Sequence, residues 1–473
     1  MTTVTVLWQH DASSLAEAYR RGKADPVDGV RECLDRIHRI GPALNAFTAL
    51  AEDAEAQAAE SRGRLNAEAP RGPLEGVPIA VKDNLCVSGM PAAWGSKVFA
   101  TKVCEKDELP VKRLRDAGAI IIGKTNTPEF AVEGYTANTL FGVTRNPWDL
   151  NLTPGGSSGG SVAATAAGLV PVAIGTDGGG SIRRPAAYTG LYGLKPTIGR
   201  VPRSGGLPQL LLDFEVVGPL ARTVRDLKLL YSVLGGPDRS DPQSRGVGER
   251  QSTGKASKAL KILYVDRFGD EPCDPLILQS CRKAADRLID LGHNVEEGAL
   301  PINLSALNQF WGTVAQVGLA RMRHAVSGMR ERAGPQYQAM ADLGDAVSAT
   351  DFLAGLEDIK TLRSAVSQVF ANWDLIMTPA CAAMPWAAEN PFPGEIDGKM
   401  AGPRGHAIYT GWVNASGHPA IALPADPAPD GLPIGFQLIG DLAAEDLLLE
   451  IAAVYEETHE GNVRWPDVAL GDG

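Results

Sequence analysis

A chain of 473 residues is long enough to bury one large core or several average ones, so its stability needs no disulfides. Its formal net charge of -11, with no basic cluster interleaved with aromatics, argues against nucleic-acid and anionic-membrane partners and favours a small uncharged substrate or another protein. The opening stretch, MTTVTVLWQHDASS, lacks the basic start and long apolar run of a signal peptide, and a cytoplasmic location is expected.

Residues 11 to 70 are rich in Ala, Glu, Arg and Leu at helical spacing, which predicts two or three N-terminal helices. From residue 71 short apolar runs alternate with amphipathic segments: GVPIAV (76–81) reads as a strand, DELPVKRLRDAG (107–118) as a helix closed by Gly118, and AIIIGKT (119–125) as a buried strand. The helix SVAATAAG (161–168) leads into a strand LVPVAIG (169–175), in a run that Gly168 and Pro171 interrupt too often for a membrane span. KILYVD (261–266), a helix from Asp274 and Pro275 to Gly292, and HNVEE form another strand–helix–strand unit. Residues 306–370 read as helices, and LIMTPA (375–380) and AIALPA (420–425) as strands. The pattern predicts an α/β fold: a single large domain, residues 71–473, whose mixed sheet is flanked by helices, preceded by N-terminal helices over 1–70 and carrying a helical insertion or lid at about 306–370. The six cysteines, Cys33, Cys86, Cys104, Cys273, Cys281 and Cys381, form no C-x-x-C pair and no metal-ligand spacing with histidine, and they read as free thiols.

Two glycine-rich turns stand out. TPGGSSGGSV (153–162) contains the G-x-S-x-G of a nucleophile elbow, but NPWDLNLTP before it, with Pro147 and Pro154, cannot supply the strand an elbow requires. A phosphate cradle is equally weak, because the Gly-Lys-Ser/Thr ending of a P-loop and the dinucleotide-binding spacing are both missing. GTDGGGSIRRP (175–185) sets Gly178, Gly179 and Gly180 before Ser181, so that several backbone N–H groups converge beside one hydroxyl, as an oxyanion hole requires. A base is still needed. His418 is the best-placed histidine, although a structural role suits it better, and a desolvated lysine can serve instead. Lys82, Lys124 and Lys195 all stand near strand ends, and composition does not choose among them.

GVPIAVKDN, GGSSGGSVAA and TDGGGSIRRPA, in this order, resemble the three core motifs of the amidase signature family. The likeness extends through GAIIIGKTNTPEF, NPWD and GPLARTVRDL and resumes in YTGWVNASGHPAIALPA and DGLPIGFQLIG. It implies a Ser-cisSer-Lys triad in which Ser181 is the nucleophile, Ser157 the bridge across a cis Gly156–Ser157 peptide, and Lys82 the base. It also implies an oxyanion hole built from Gly178, Gly179, Gly180 and Ser181, with no metal and no organic cofactor. Ser158 is expected to orient Lys82, and Asp177 and Arg183 to form an ion pair fixing the glycine loop. Arg184 stands where family members often carry a smaller or apolar residue, so it reads either as packing or as a substrate contact.

One branch of that family, the glutaminase component of glutamyl-tRNA amidotransferase, hydrolyses glutamine and hands ammonia to a partner. It is expected to carry an acidic residue seven positions before the asparagine matching Asn414. Here that position is Ala407. The change favours a serine amidohydrolase acting alone, as a monomer or homodimer, on a small, largely apolar amide, anilide or carbamate, with neither nucleic acid nor membrane as partner; the alternative is the glutaminase component of a glutamyl-tRNA amidotransferase complex. Phe130, Asn138, Leu210, Leu211, Phe310 and Trp311 lie in segments that flank the triad in the family fold, and with Arg184 they are the candidate substrate-binding residues. Aryl acylamidases, cyclic nylon-oligomer hydrolases and urethanases of the family are all compatible with them.

Overall fold

A computed structural model of the chain describes residues 6–247, 258–458 and 464–471. The run PIAVK, buried at every position, forms strand β2 (Pro78–Lys82), next in the sequence after the edge strand β1 (Phe47–Leu50). IIIGKT and VAIGTD, equally buried, form β3 (Ile120–Thr125) and β4 (Val172–Asp177). Such unbroken apolar runs suit strands covered on both faces, as parallel strands usually are. β5 (Tyr192–Lys195), β6 (Val216–Ala221), β7 (Lys261–Tyr264), β8 (Asn294–Glu297), β9 (Leu375–Pro379), β10 (Ala420–Pro424) and β11 (Gly435–Gly440) complete an 11-stranded sheet in the order β1-β3-β2-β4-β6-β5-β10-β11-β9-β7-β8. β3, β2 and β4 are mutually parallel, the strands from β4 to β9 pair antiparallel, and β9, β7 and β8 are parallel again, so the sheet is mixed.

Among the described residues, three α-helices precede β2: Ala12–Arg20, Pro26–Leu44 and Ala54–Asn66. Asp11 and Asp25 cap the first two by accepting from Ser14 N and Val27 N. Between the last two, FTAL adds β1 to the sheet edge, antiparallel to β3, a strand too short to show alternation in the sequence. The helix before β4 spans Gly159–Ala166, and β4 begins at Val172 rather than Leu169. Gly168 takes a left-handed φ of 66° and Pro171 has no N–H for the ladder, so the chain turns there. The strand consequently runs on through Thr176 and Asp177, which places the glycine loop directly at its end.

Four helices cover most of residues 306–370, Ser305–Ala325, Met329–Arg332, Pro335–Asp345 and Ala349–Val369, the last capped by Ser348 accepting from Asp351 N. They close two apolar clusters apart from the main core. Leu319, Met322, Met329 and Tyr337 meet Trp94, Phe130 and Leu210 in one, while Leu307, Phe310 and Val314 meet Ile359, Leu362 and Val366 in the other. The six cysteines are free and buried, and among the described residues no helix is long and apolar enough to cross a membrane.

Candidate active site

Lys82 ends β2, and its neighbour across the parallel ladder is β4, with Val81 opposite Ile174. The lysine is fully buried. Its Nζ lies 2.7 Å from Ser157 Oγ, 2.8 Å from Thr176 Oγ1 and 3.4 Å from Thr176 O. Burial lowers its pKa to about 7, against a smaller upward pull from the Glu215 and Asp177 carboxylates. The Gly156–Ser157 peptide is cis, and Ser157 stands immediately before the helix Gly159–Ala166. Ser158 N donates to Ser181 O at 3.2 Å, tying the two glycine turns together. Exposure rises along the row, from 0 % at Lys82 to 1 % at Ser157 and 6 % at Ser181, so only the last approaches solvent.

The loop after β4 is shaped by Asp177. Its carboxylate accepts from Gly180 N at 2.6 Å, Ile182 N at 3.1 Å and Arg183 Nε at 3.1 Å, and Arg183 Nη2 stands 3.0 Å away. Burial alone would raise this carboxyl; the Arg183 guanidinium holds it well below the usual range. Arg183 also donates to Gln437 Oε1 and Thr410 O, and Asn414 Nδ2 donates to the Asp177 carbonyl and carboxylate. Because Gly180 N is spent on Asp177, the expected four-donor oxyanion hole is corrected to three candidates: Gly178, Gly179 and Ser181. Gly180 itself has φ 110°, and a Cβ there would lie 2.2 Å from Thr410 Oγ1; one at Gly179 would meet the Trp311 indole at 2.8 Å.

Other expected residues are placed differently. Ser158 Oγ donates to Thr176 O at 3.1 Å and does not touch Lys82; the hydroxyl that holds the lysine belongs to Thr176, whose Oγ1 also accepts from Asn84 Nδ2 at 3.0 Å. Arg184 is buried and clamps the turns, donating to Gly179 O, to Thr410 Oγ1 at 3.1 Å and to Gly156 O at 3.4 Å. Phe130, Leu210 and Phe310 are core residues of the two apolar clusters, while Leu211 is half-buried and reaches Gly178. Asn138 spends its amide on its own turn, donating to Asn126 Oδ1 and Thr127 O and accepting from Leu140 N and Phe141 N, which leaves nothing for a substrate. Trp311, by contrast, stacks on Phe214 at 5.9 Å and rests against Gly179. Lys124 pairs with Asp83 at 3.3 Å, Lys195 donates to Pro196 O, and His418 stacks on Phe370 with Nδ1 on Ser416 Oγ, so none of the three reaches either serine.

Three residues that the sequence did not single out lie near the two glycine turns. Arg404 lies over the Trp311 ring, 4.7 Å from its centroid. Two residues on, His406 is buried, and its Nε2 would be 2.2 Å from a Cβ at Gly134. Glu133, next to Gly134, is half-buried, and Tyr135 O sits so close to Gly156 that a Cβ there would be 2.4 Å away. No local motif marks these residues, because they converge from two segments some 270 residues apart.

A sequence profile of the amidase family matches residues 28–449. The A component of the glutamyl-tRNA(Gln) amidotransferase of Symbiobacterium thermophilum is 36% identical to this chain over 489 residues, covering 94% of this chain and 96% of the relative. Among solved structures, a bacterial aryl acylamidase belonging to the amidase signature enzymes superposes with a TM-score of 0.89 at 30% identity, covering 98% and 99% of the two chains. The 6-aminohexanoate cyclic dimer hydrolase superposes at 0.83 with the same identity and coverage. The amidotransferase relative overturns one expectation. A chain working as a monomer or homodimer on a small molecule, without nucleic acid, does not accord with similarity along almost its whole length to one named component of an enzyme of glutamyl-tRNA(Gln). Net charge misled here, because it describes a whole surface and not the patch or partner through which one component of a complex works.

Proposed function

The chain belongs to the amidase family and is an amidohydrolase of the amidase signature type; from that premise we propose that it splits a C–N amide through an acyl-enzyme on Ser181, and that its amide is glutamine, cleaved as the glutaminase component of an amidotransferase. The observation that carries the chemistry is the 2.7 Å contact between a fully buried Lys82 and Ser157. A neutral amine has two N–H groups and one lone pair. With both hydrogens on Thr176 Oγ1 and O, the lone pair faces the Ser157 hydroxyl, and a pKa of about 7 keeps the amine neutral in a useful fraction of molecules near neutral pH.

Lys82 takes the Ser157 proton as Ser157 takes that of Ser181, and Ser181 Oγ bonds to the carbonyl carbon. The oxyanion is met by the free N–H groups of the 178–181 loop, whose backbone is held by Asp177 at Gly180 N and by Arg184 at Gly179 O. Ser157 then protonates the departing nitrogen, the C–N bond breaks, and water enters by the same relay in reverse to release the acid. Glutamine as the amide is supported by the 36% identity to the amidotransferase relative. A second reading, hydrolysis of an aryl or other amide without transfer of the amine, is favoured by the 0.89 TM-score to the aryl acylamidase and by Ala407. Ammonia release by the purified chain from glutamine, measured with and without the other components of a bacterial glutamyl-tRNA(Gln) amidotransferase and beside an anilide and a carbamate, separates the two. Glutamine turnover stimulated by those components supports the first reading; anilide turnover with glutamine inert supports the second.

A further inference from the structure

Buried polar groups in folded proteins are almost always hydrogen-bonded, and groups left without partners beside a nucleophile mark where something else binds. Around the Gly156 and Gly179 turns several such groups converge. His406 is 2 % exposed, and neither ring nitrogen has a partner among the described residues. Arg184 Nε, on the residue clamping both turns, has none either. Beside these two stand charged groups that are not fully buried: Arg404, exposed and lying over Trp311, and Glu133, half-buried, neither of which makes a hydrogen bond or ion pair among the described residues. Glu133 and Arg404 are near enough for each to perturb the other's charge, yet they do not close into an ion pair. A carboxylate and a guanidinium without partners, with an unpartnered imidazole two residues from the guanidinium and against Gly134, are poorly matched to an apolar anilide. They match a small molecule that carries both charges.

We propose that Glu133, Arg404 and His406 bind the charged end of a zwitterionic amino-acid amide, the substrate ammonium on Glu133 and its carboxylate on Arg404 and His406, with the side-chain amide reaching Ser181. This rests on the acyl-enzyme reading above. It also supplies from another segment the countercharge that Ala407 lacks: the acid comes from the turn against Gly156 and not from the segment before Asn414. His406 in its neutral form offers one donor and one acceptor, so it meets a carboxylate oxygen with its N–H. Trp311 lies under the Arg404 guanidinium, its ring centroid 4.7 Å away, which limits the side-chain freedom that binding would otherwise remove.

The test is a series of amides alike in the reacting group: glutamine, asparagine, glutaramic acid (no amine), 4-aminobutanamide (no carboxylate) and butanamide (neither). Each charge removed from glutamine is expected to lower kcat/KM about 10- to 100-fold, the range for a lost hydrogen bond to a charged group. Glu133→Gln should collapse the preference for glutamine over glutaramic acid, and Arg404→Gln the preference over 4-aminobutanamide, with Arg404→Lys restoring part of it; thermal melting checks that each variant folds. Equal losses on all five amides, or butanamide cleaved as well as glutamine, overturn the proposal. If asparagine wins over glutamine the zwitterion site stands and glutamine is the wrong member of the class. If none of the five is cleaved while an anilide is, or while a fluorophosphonate still labels Ser181, the zwitterion site is wrong and the Ser181 chemistry survives; loss of both labelling and all turnover removes that chemistry as well.

Discussion

Replacing Lys82 by methionine should change the way stability depends on pH, because the lysine is folded into a place where its charge is unwelcome. Unfolded, it titrates at 10.5; folded, at about 7. A base whose folded pKa is lowered penalises the folded state at every pH below the unfolded value, and the penalty grows as pH falls from 10.5 to about 7 and levels off beneath. Near pH 7 the unfolded chain holds a whole proton here and the folded chain about half of one, which weighs about 4 kcal/mol against folding; at about pH 9 the penalty has shrunk to about 2 kcal/mol. Lys82→Met removes it at both. The variant also loses the contacts to Ser157 and Thr176, but that offset does not titrate, and Lys195, lowered to about 7 as well, is common to both chains and cancels. Urea unfolding of both chains at the two pH values should therefore show the parent gaining about 2 kcal/mol on the variant between them. A gap that stays constant, or moves the other way, would mean that Lys82 is charged in the folded protein and unfit to be the base.

The other expectations concern the relay and its surroundings. Ser157→Ala and Lys82→Ala should each cost about a thousandfold or more in turnover, and the double variant little more than either, because parts of one relay are not additive; multiplying losses in single-turnover assays would speak for independent roles. Thr176→Val, nearly isosteric, takes away the hydroxyl that positions Lys82 Nζ and should lower kcat about 10- to 100-fold with little change in KM, while the pH at half-maximal rate falls below that of the parent; an unchanged pH profile would leave Thr176 with a packing role only. Trp311→Ala should alter the ranking of bulky against small amides more than the rate on the smallest, read from kcat/KM across a size series, and equal losses on all would assign the 306–370 helices to scaffold rather than lid.

What could be read beforehand follows the range of the interactions involved. The strands holding Lys82 and Asp177 are local apolar runs, and the glycine turns announce themselves because few other residues tolerate such close approach, so the fold and the approach of Lys82 to Ser157 were accessible from motif order. Thr176 was not, since a threonine in a buried strand carries no signal until its neighbour across the ladder is known. Two of the substrate-binding candidates fail for a related reason: Phe130 and Leu210 are apolar and close to the motifs in sequence, but they turn into a cluster with Trp94 and Met322, whereas the residues proposed above, Glu133, Arg404 and His406, are ordinary polar residues with no local signal. Gly180 shows the same limit at one atom: its type fits an oxyanion donor, and only the position of the Asp177 carboxylate reveals that its N–H is already taken.

The buried Asp177–Arg183 pair has a consequence for how the protein comes into being. Its partners Thr410, Asn414 and Gln437 lie far downstream, on the segments before β10 and on β11. A ribosome that has released Ser181 must add roughly 250 further residues before the last of them emerges, about half a minute at ordinary elongation rates. Until then the arginine has no acceptors beyond its own loop, and a buried charge without them is costly. The turn that carries Ser181 is thus encoded early and finished late, so a nascent or prematurely terminated chain would hold Ser181 in a loop without the downstream partners that shape it.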